Sequence, residues 1–138
     1  MLYAIAYALT FVIFAAFDML WLTTMGAKLY KQTLGDILSD EIRMLPAFAF
    51  YLMYPAGLVI FAIAPALKGG SPWIAVFYGA LFGLFAYGTY ELTNYATLRN
   101  WTLQITVIDM AYGLIVSGMV AGLVAVLAAM IGQHFGIR

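Results

Sequence analysis

The chain has 138 residues, of which 66% are hydrophobic and only 9% charged. A soluble domain carries roughly 45–50% apolar and about 25% charged residues, so a surface built from this composition suits lipid rather than water. Six basic residues balance six acidic ones and cysteine is absent, which argues against nucleic-acid binding and excludes disulfides, thiolate metal sites and thiol catalysis.

A helix that spans a bilayer needs about 20 mostly apolar residues, and four stretches meet that requirement. The first covers residues 2–25. No basic residue precedes it and Asp18 interrupts it, so it reads as a retained helix rather than a cleavable signal. In residues 26–43, Tyr30, Leu34, Ile37, Leu38 and Ile42 recur near helical spacing among Lys28, Lys31, Asp36, Asp40, Glu41 and Arg43. That pattern predicts a short amphipathic helix lying at the interface, although Gly35 stands in its middle. The second span is 44–67 and carries Pro55, which cannot donate to the carbonyl of Tyr51. Lys68-Gly69-Gly70-Ser71-Pro72 has turn chemistry and leads into the third span, 73–98. Arg99-Asn100-Trp101 then leads into the fourth, 102–131. An open sheet is excluded because lipid offers its edges no hydrogen-bond partner. The expected fold is all-α: a polytopic membrane protein, with residues 1–138 forming one four-transmembrane-helix bundle and a short amphipathic helix in the first loop.

Lys28, Lys31, Arg43 and Arg99 fall on one side, against Lys68 and Arg138 on the other. The positive-inside rule then places the first and third loops in the cytoplasm and both termini outside. Trp21 and Trp101 are expected at that cytoplasmic interface, and Trp73 at the opposite one.

Three acids interrupt the spans: Asp18, Glu91 and Asp109. An Asp near the bilayer centre costs roughly 2.5–3.5 kcal/mol on insertion scales, so such residues usually face a bundle interior or a wet cavity. Counted from the helix ends at about 1.5 Å per residue, all three lie roughly 10–12 Å in from the same side. Tyr51 and Tyr54 of the second span fall at a similar depth. Helical periodicity puts Tyr87, Tyr90, Glu91 and Asn94 on one face of the third helix, and Thr106, Asp109, Tyr112 and Gly113 on one face of the fourth. Thr10, Phe14, Asp18 and Trp21 share a face of the first. The candidate polar site is therefore Asp18, Trp21, Tyr51, Tyr54, Tyr87, Tyr90, Glu91, Asn94, Asp109 and Tyr112. No Lys or Arg lies inside a span to pair with the acids, unless Arg43 or Arg99 reaches inward. Polar side chains can also serve only to tie helices together, at about 0.6 kcal/mol per bond.

Gly79-x-x-x-Gly83 and Gly118-x-x-x-Gly122 permit close helix packing, either within the chain or against a second copy or another membrane partner. His134 reads as an exposed tail residue. No phosphate-binding loop, zinc motif or catalytic triad is present, so neither a metal nor a cofactor is expected.

These residues resemble a known family. They are Phe17-Asp18-x-x-Trp21-Leu22, Tyr30-x-x-x-Leu34-Gly35 and Tyr51-Leu52-x-Tyr54-x-x-Gly57, followed by Gly88-Thr89-Tyr90-Glu91-Leu92-Thr93-Asn94-x-Ala96-Thr97-Leu98-x-x-Trp101 and Asp109-x-x-Tyr112-Gly113. The pattern is similar to that of small bacterial predicted membrane proteins grouped as domain of unknown function number 2177. Glu91 stands where that family usually has Asp, and Tyr112 where it usually has Trp. The resemblance implies a four-helix protein of the bacterial inner membrane and supplies no activity.

Three functions compete on the sequence. Carboxylates without internal cations suit a protein that binds or transports a small cation, a proton or a small molecule, and this is the favoured expectation. A membrane-embedded enzyme acting on a lipid or isoprenoid could use two carboxylates as acid and base, but no nucleophile is evident. A structural or accessory membrane subunit is the third.

Overall fold

A computed structural model describes residues 1–138. It contains four long helices, each apolar enough to cross a membrane: α1, Leu2–Leu34; α2, Met44–Gly69; α3, Pro72–Thr97; and α4, Leu103–Phe135. Sequence hydropathy located all four, because a backbone in lipid must satisfy its own hydrogen bonds and a long apolar run has little choice but helix.

The connections obey ordinary capping rules. Gly70 at φ 70° closes α2 in the left-handed conformation, and Pro72 opens α3 at a position where no N–H is needed. Thr102 caps α4 by accepting the backbone N–H of Ile105 at 3.2 Å. Gly136, at φ 63°, ends it.

The first loop differs from its expectation. The helical part of this segment is not a separate helix at the interface; it continues α1 through a π turn at Gly26–Tyr30 to Leu34. Gly26 keeps a right-handed helical backbone, φ −54°, so nothing there breaks the chain. Only residues 35–43 form turns and bends. The extension survives because Leu29 and Leu34 are buried, forming a small core with Trp101 and Ile105 apart from the main one.

The four helices form a ring in chain order. α1 packs on α2 and α4, and α3 on α2 and α4, with the α3–α4 pairing the most extensive. Glycine makes that pairing close. A Cβ on Gly83 would stand 2.0 Å from the carbonyl oxygen of Gly113, and one on Gly79 would stand 2.7 Å from that of Ser117. On the facing helix, a Cβ on Gly122 would meet Val76 at 2.4 Å. Both glycine motifs thus meet inside the chain, where all four glycines are buried.

α2 carries Pro55 within its helix and a second π turn at Val59–Ile63 just beyond it. The main core runs along the bundle axis through Phe14, Tyr54, Leu58, Ile63, Val120 and Val124.

Candidate functional site

The polar layer is built by three acids, each on a different helix. Glu91 is 1% exposed, Asp109 6% and Asp18 7%. Burial at that level leaves each acid dependent on protein hydrogen bonds, and apart from the contact between Glu91 and Asp109 the partners are neutral aromatic donors.

Asp18 of α1 accepts the hydroxyls of Tyr51 from α2 and Tyr112 from α4, the latter at 3.2 Å. Asp109 of α4 accepts the hydroxyl of Tyr30, which in turn accepts the indole N–H of Trp21 at 3.2 Å. Glu91 of α3 accepts the indole N–H of Trp101 at 2.9 Å, and its carboxyl lies beside that of Asp109. Trp21 stacks on Tyr112 with ring centroids 4.2 Å apart, which links the Asp109 branch to the Asp18 branch. Every helix contributes to this layer.

A second polar contact lies deeper along the axis. The hydroxyls of Tyr54 and Ser117 meet at 2.6 Å. Tyr54 also stacks on Phe14, centroids 4.7 Å apart, and Tyr87 meets it edge-on at 5.9 Å. Tyr87 lies over Gly113, whose missing side chain leaves room for the ring: a Cβ there would come within 2.3 Å of it.

Eight of the ten candidate residues therefore lie in or against the layer, and two do not. Tyr90 is 59% exposed and touches the site only through an edge-on contact with Trp101, centroids 5.6 Å apart. One residue along a helix is a rotation of about 100°, so Tyr90 cannot share the inward direction of Glu91. Asn94 is half-buried, without a side-chain hydrogen bond to the acids.

Three residues were missing from the sequence-derived set. Trp101, expected at the interface, is buried and donates to Glu91. Tyr30 was assigned to the apolar face of a surface helix, yet it donates to Asp109. Both occur in the motifs that carried the family resemblance, which was the available signal. Ser117 gave none, being a small hydroxyl within a glycine-rich packing face. Arg43 and Arg99 do not reach inward; both are exposed, as are Lys28 and Lys31.

Two apolar recesses lie on the helix seams. One of about 210 Å³ sits between α3 and α4 beside Trp73 and Val76. Another of about 210 Å³ sits between α1 and α2, where Phe11, Met19, Phe48 and Tyr51 line it. No group of three or more acidic or histidine side chains converges in a way that could hold a metal ion.

No curated protein and no solved structure matches the chain. A family model does match, over residues 3–127, and its description is predicted membrane protein, DUF2177. The chain belongs to that family.

Proposed function

We propose that this member of the DUF2177 family binds and exchanges protons, with the Glu91–Asp109 pair as the proton-binding site. The observation that carries this reading is the pairing itself: two buried carboxyls lie side by side, with hydrogen-bond partners that are neutral aromatic donors. Two adjacent carboxylates repel, and a shared proton relieves the repulsion. A metal ion would relieve it too, but the surrounding groups have the wrong polarity. Tyr30 and Trp101 aim hydrogens, not lone pairs, at the acids, whereas hard cations need several converging oxygens. Asp18, with its two phenol donors, is the second station of the same layer, joined to the first by the Trp21–Tyr112 stack.

The decisive measurement is the infrared carbonyl band of a protonated carboxyl in the protein reconstituted in liposomes. The band should titrate with pH and lose the component of the pair in Glu91→Gln/Asp109→Asn, any remainder belonging to Asp18. A protein without any protonated-carboxyl band over the neutral range refutes the proposal.

A structural reading is favoured by one observation: no buried side-chain nitrogen or oxygen lacks a hydrogen-bond partner. On that reading the layer only joins the helices, and the double amide variant should lose stability without altering any proton uptake. The excess of Lys and Arg on the side of the α1–α2 and α3–α4 connections supports a cytoplasmic placement of that side in a bacterial inner membrane.

A further inference from the structure

We propose that the extension of α1 beyond Met25 is a gate over the Glu91–Asp109 pair, closed in this structure and opened by bending at the π turn Gly26–Tyr30. The inference concerns water access to the pair and does not depend on what the pair binds.

The seal and the hydrogen-bond donors are the same residues. Trp101 donates to Glu91 while packing beneath Leu29 and Leu34 of the extension. Tyr30, on the extension itself, donates to Asp109. Lifting the extension therefore removes the Tyr30 donor from one acid and uncovers the Trp101 donor of the other in a single movement.

The hinge and the latch are both weak. In the π turn the N–H of Lys31 bonds to the carbonyl of Gly26, one residue out of α-helical register. Such irregular turns are places where helices bend. Apart from chain neighbours and the helix's own backbone, no atom lies within 4 Å of where a Gly26 side chain would begin, so the first residue of the turn is unbraced while Leu29 and Tyr30 at its far end hold the seal. Beyond Leu34 the extension is tied across the surface by Asn100, whose amide reaches both carboxylate oxygens of Asp36 at 2.7 and 2.8 Å. That contact is exposed. The core beneath it is four buried residues, separate from the main one. A small satellite core with an exposed tie is the kind of unit that opens locally while the rest stays folded.

The chain contains no cysteine, so a single introduced thiol reports access without background. Ile105→Cys places it at a fully buried position under the extension, and Leu29→Cys gives an independent reporter should the first not fold. The protein is reconstituted in permeabilised liposomes and exposed to a charged, membrane-impermeant thiol reagent. Asn100→Asp sets an acid against Asp36 and should raise the labelling rate several-fold. Adding Asp36→Lys restores attraction and should return the rate to that of the parent. Equal rates in all three backgrounds overturn the gate, as does fast labelling of the parent that ignores both substitutions. Because the readout is a labelling rate, the gate can fail while the carboxyl band persists, or stand while the band is absent.

Discussion

Trp101 donates its indole N–H to Glu91 Oε2 at 2.9 Å, and both side chains are buried. Trp101 lies in the α3–α4 connection and Glu91 inside α3, so the connection is tied back to the most buried acid of the molecule. Trp101→Phe keeps most of the ring but removes the donor. It should destabilise the protein by about 1 kcal/mol, the scale of a good side-chain bond in a membrane bundle. Glu91→Gln retains an acceptor oxygen and should cost less. Unfolding in a mixed-detergent titration measures both, and a Trp101→Phe protein as stable as the parent would contradict the assignment.

Gly83→Ala should be the most damaging single methyl in the chain. Its Cβ would stand 2.0 Å from the Gly113 carbonyl oxygen and 2.6 Å from Ser117 Oγ, and backbone cannot yield as a side chain does. Overpacking costs about 1–3 kcal/mol or more, read as a lower unfolding midpoint. Gly26→Ala meets no atom within 4 Å beyond its chain neighbours and its own helix backbone and should be neutral or stabilising, by up to about 1 kcal/mol from helix propensity. The contrast between the two is the test.

Tyr54 and Ser117 share one buried hydrogen bond at 2.6 Å. Tyr54→Phe or Ser117→Ala alone leaves the other hydroxyl unpartnered, whereas the double variant removes both at once. The two losses should therefore be less than additive, with a coupling of about 0.6–1.7 kcal/mol. A double-mutant cycle gives the number directly, and strict additivity would mean that the two hydroxyls do not interact.

Asp18 offers a graded series. Asp18→Asn keeps an oxygen for Tyr51 or Tyr112, while Asp18→Leu strands both phenols. A buried polar group left without a partner costs about 1–3 kcal/mol, so Leu should be clearly worse than Asn despite its better match to lipid. Unfolding midpoints in that order support the phenol contacts; the reverse order shows the acid to be a burden on the fold.

The helices were legible because hydropathy reports directly on the solvent that surrounds a span. The common level of Asp18, Glu91 and Asp109 along the bundle was legible for a related reason, since rise per residue converts position in the chain into height along a helix. The partners were harder to read. Trp101 stands where an interfacial tryptophan is expected, and only three-dimensional packing shows that Leu29 and Leu34 cover it. Gly26, Lys28 and Lys31 look like the exit from a span, so the continuation of α1 to Leu34 was hidden by a half-buried glycine and two exposed lysines that are still helical. Tyr90 stands about 100° round the helix from Glu91, an arc that periodicity alone does not separate from the inward face. The glycine motifs announced close packing, but only the structure showed which helices they join.

Both π turns lie in the first half of the chain, one in α1 and one in α2, whereas α3 and α4 are uninterrupted α-helices held together by glycines without room for a methyl. The molecule is thus divided into a stiff hairpin and a pliant one. Glu91 and Asp109 both belong to the hairpin whose helices are locked by those glycines. Asp18 belongs to the pliant one. A movement of the first two helices would change the distance from Asp18 to the pair and the donors around it, but not which two helices hold Glu91 and Asp109.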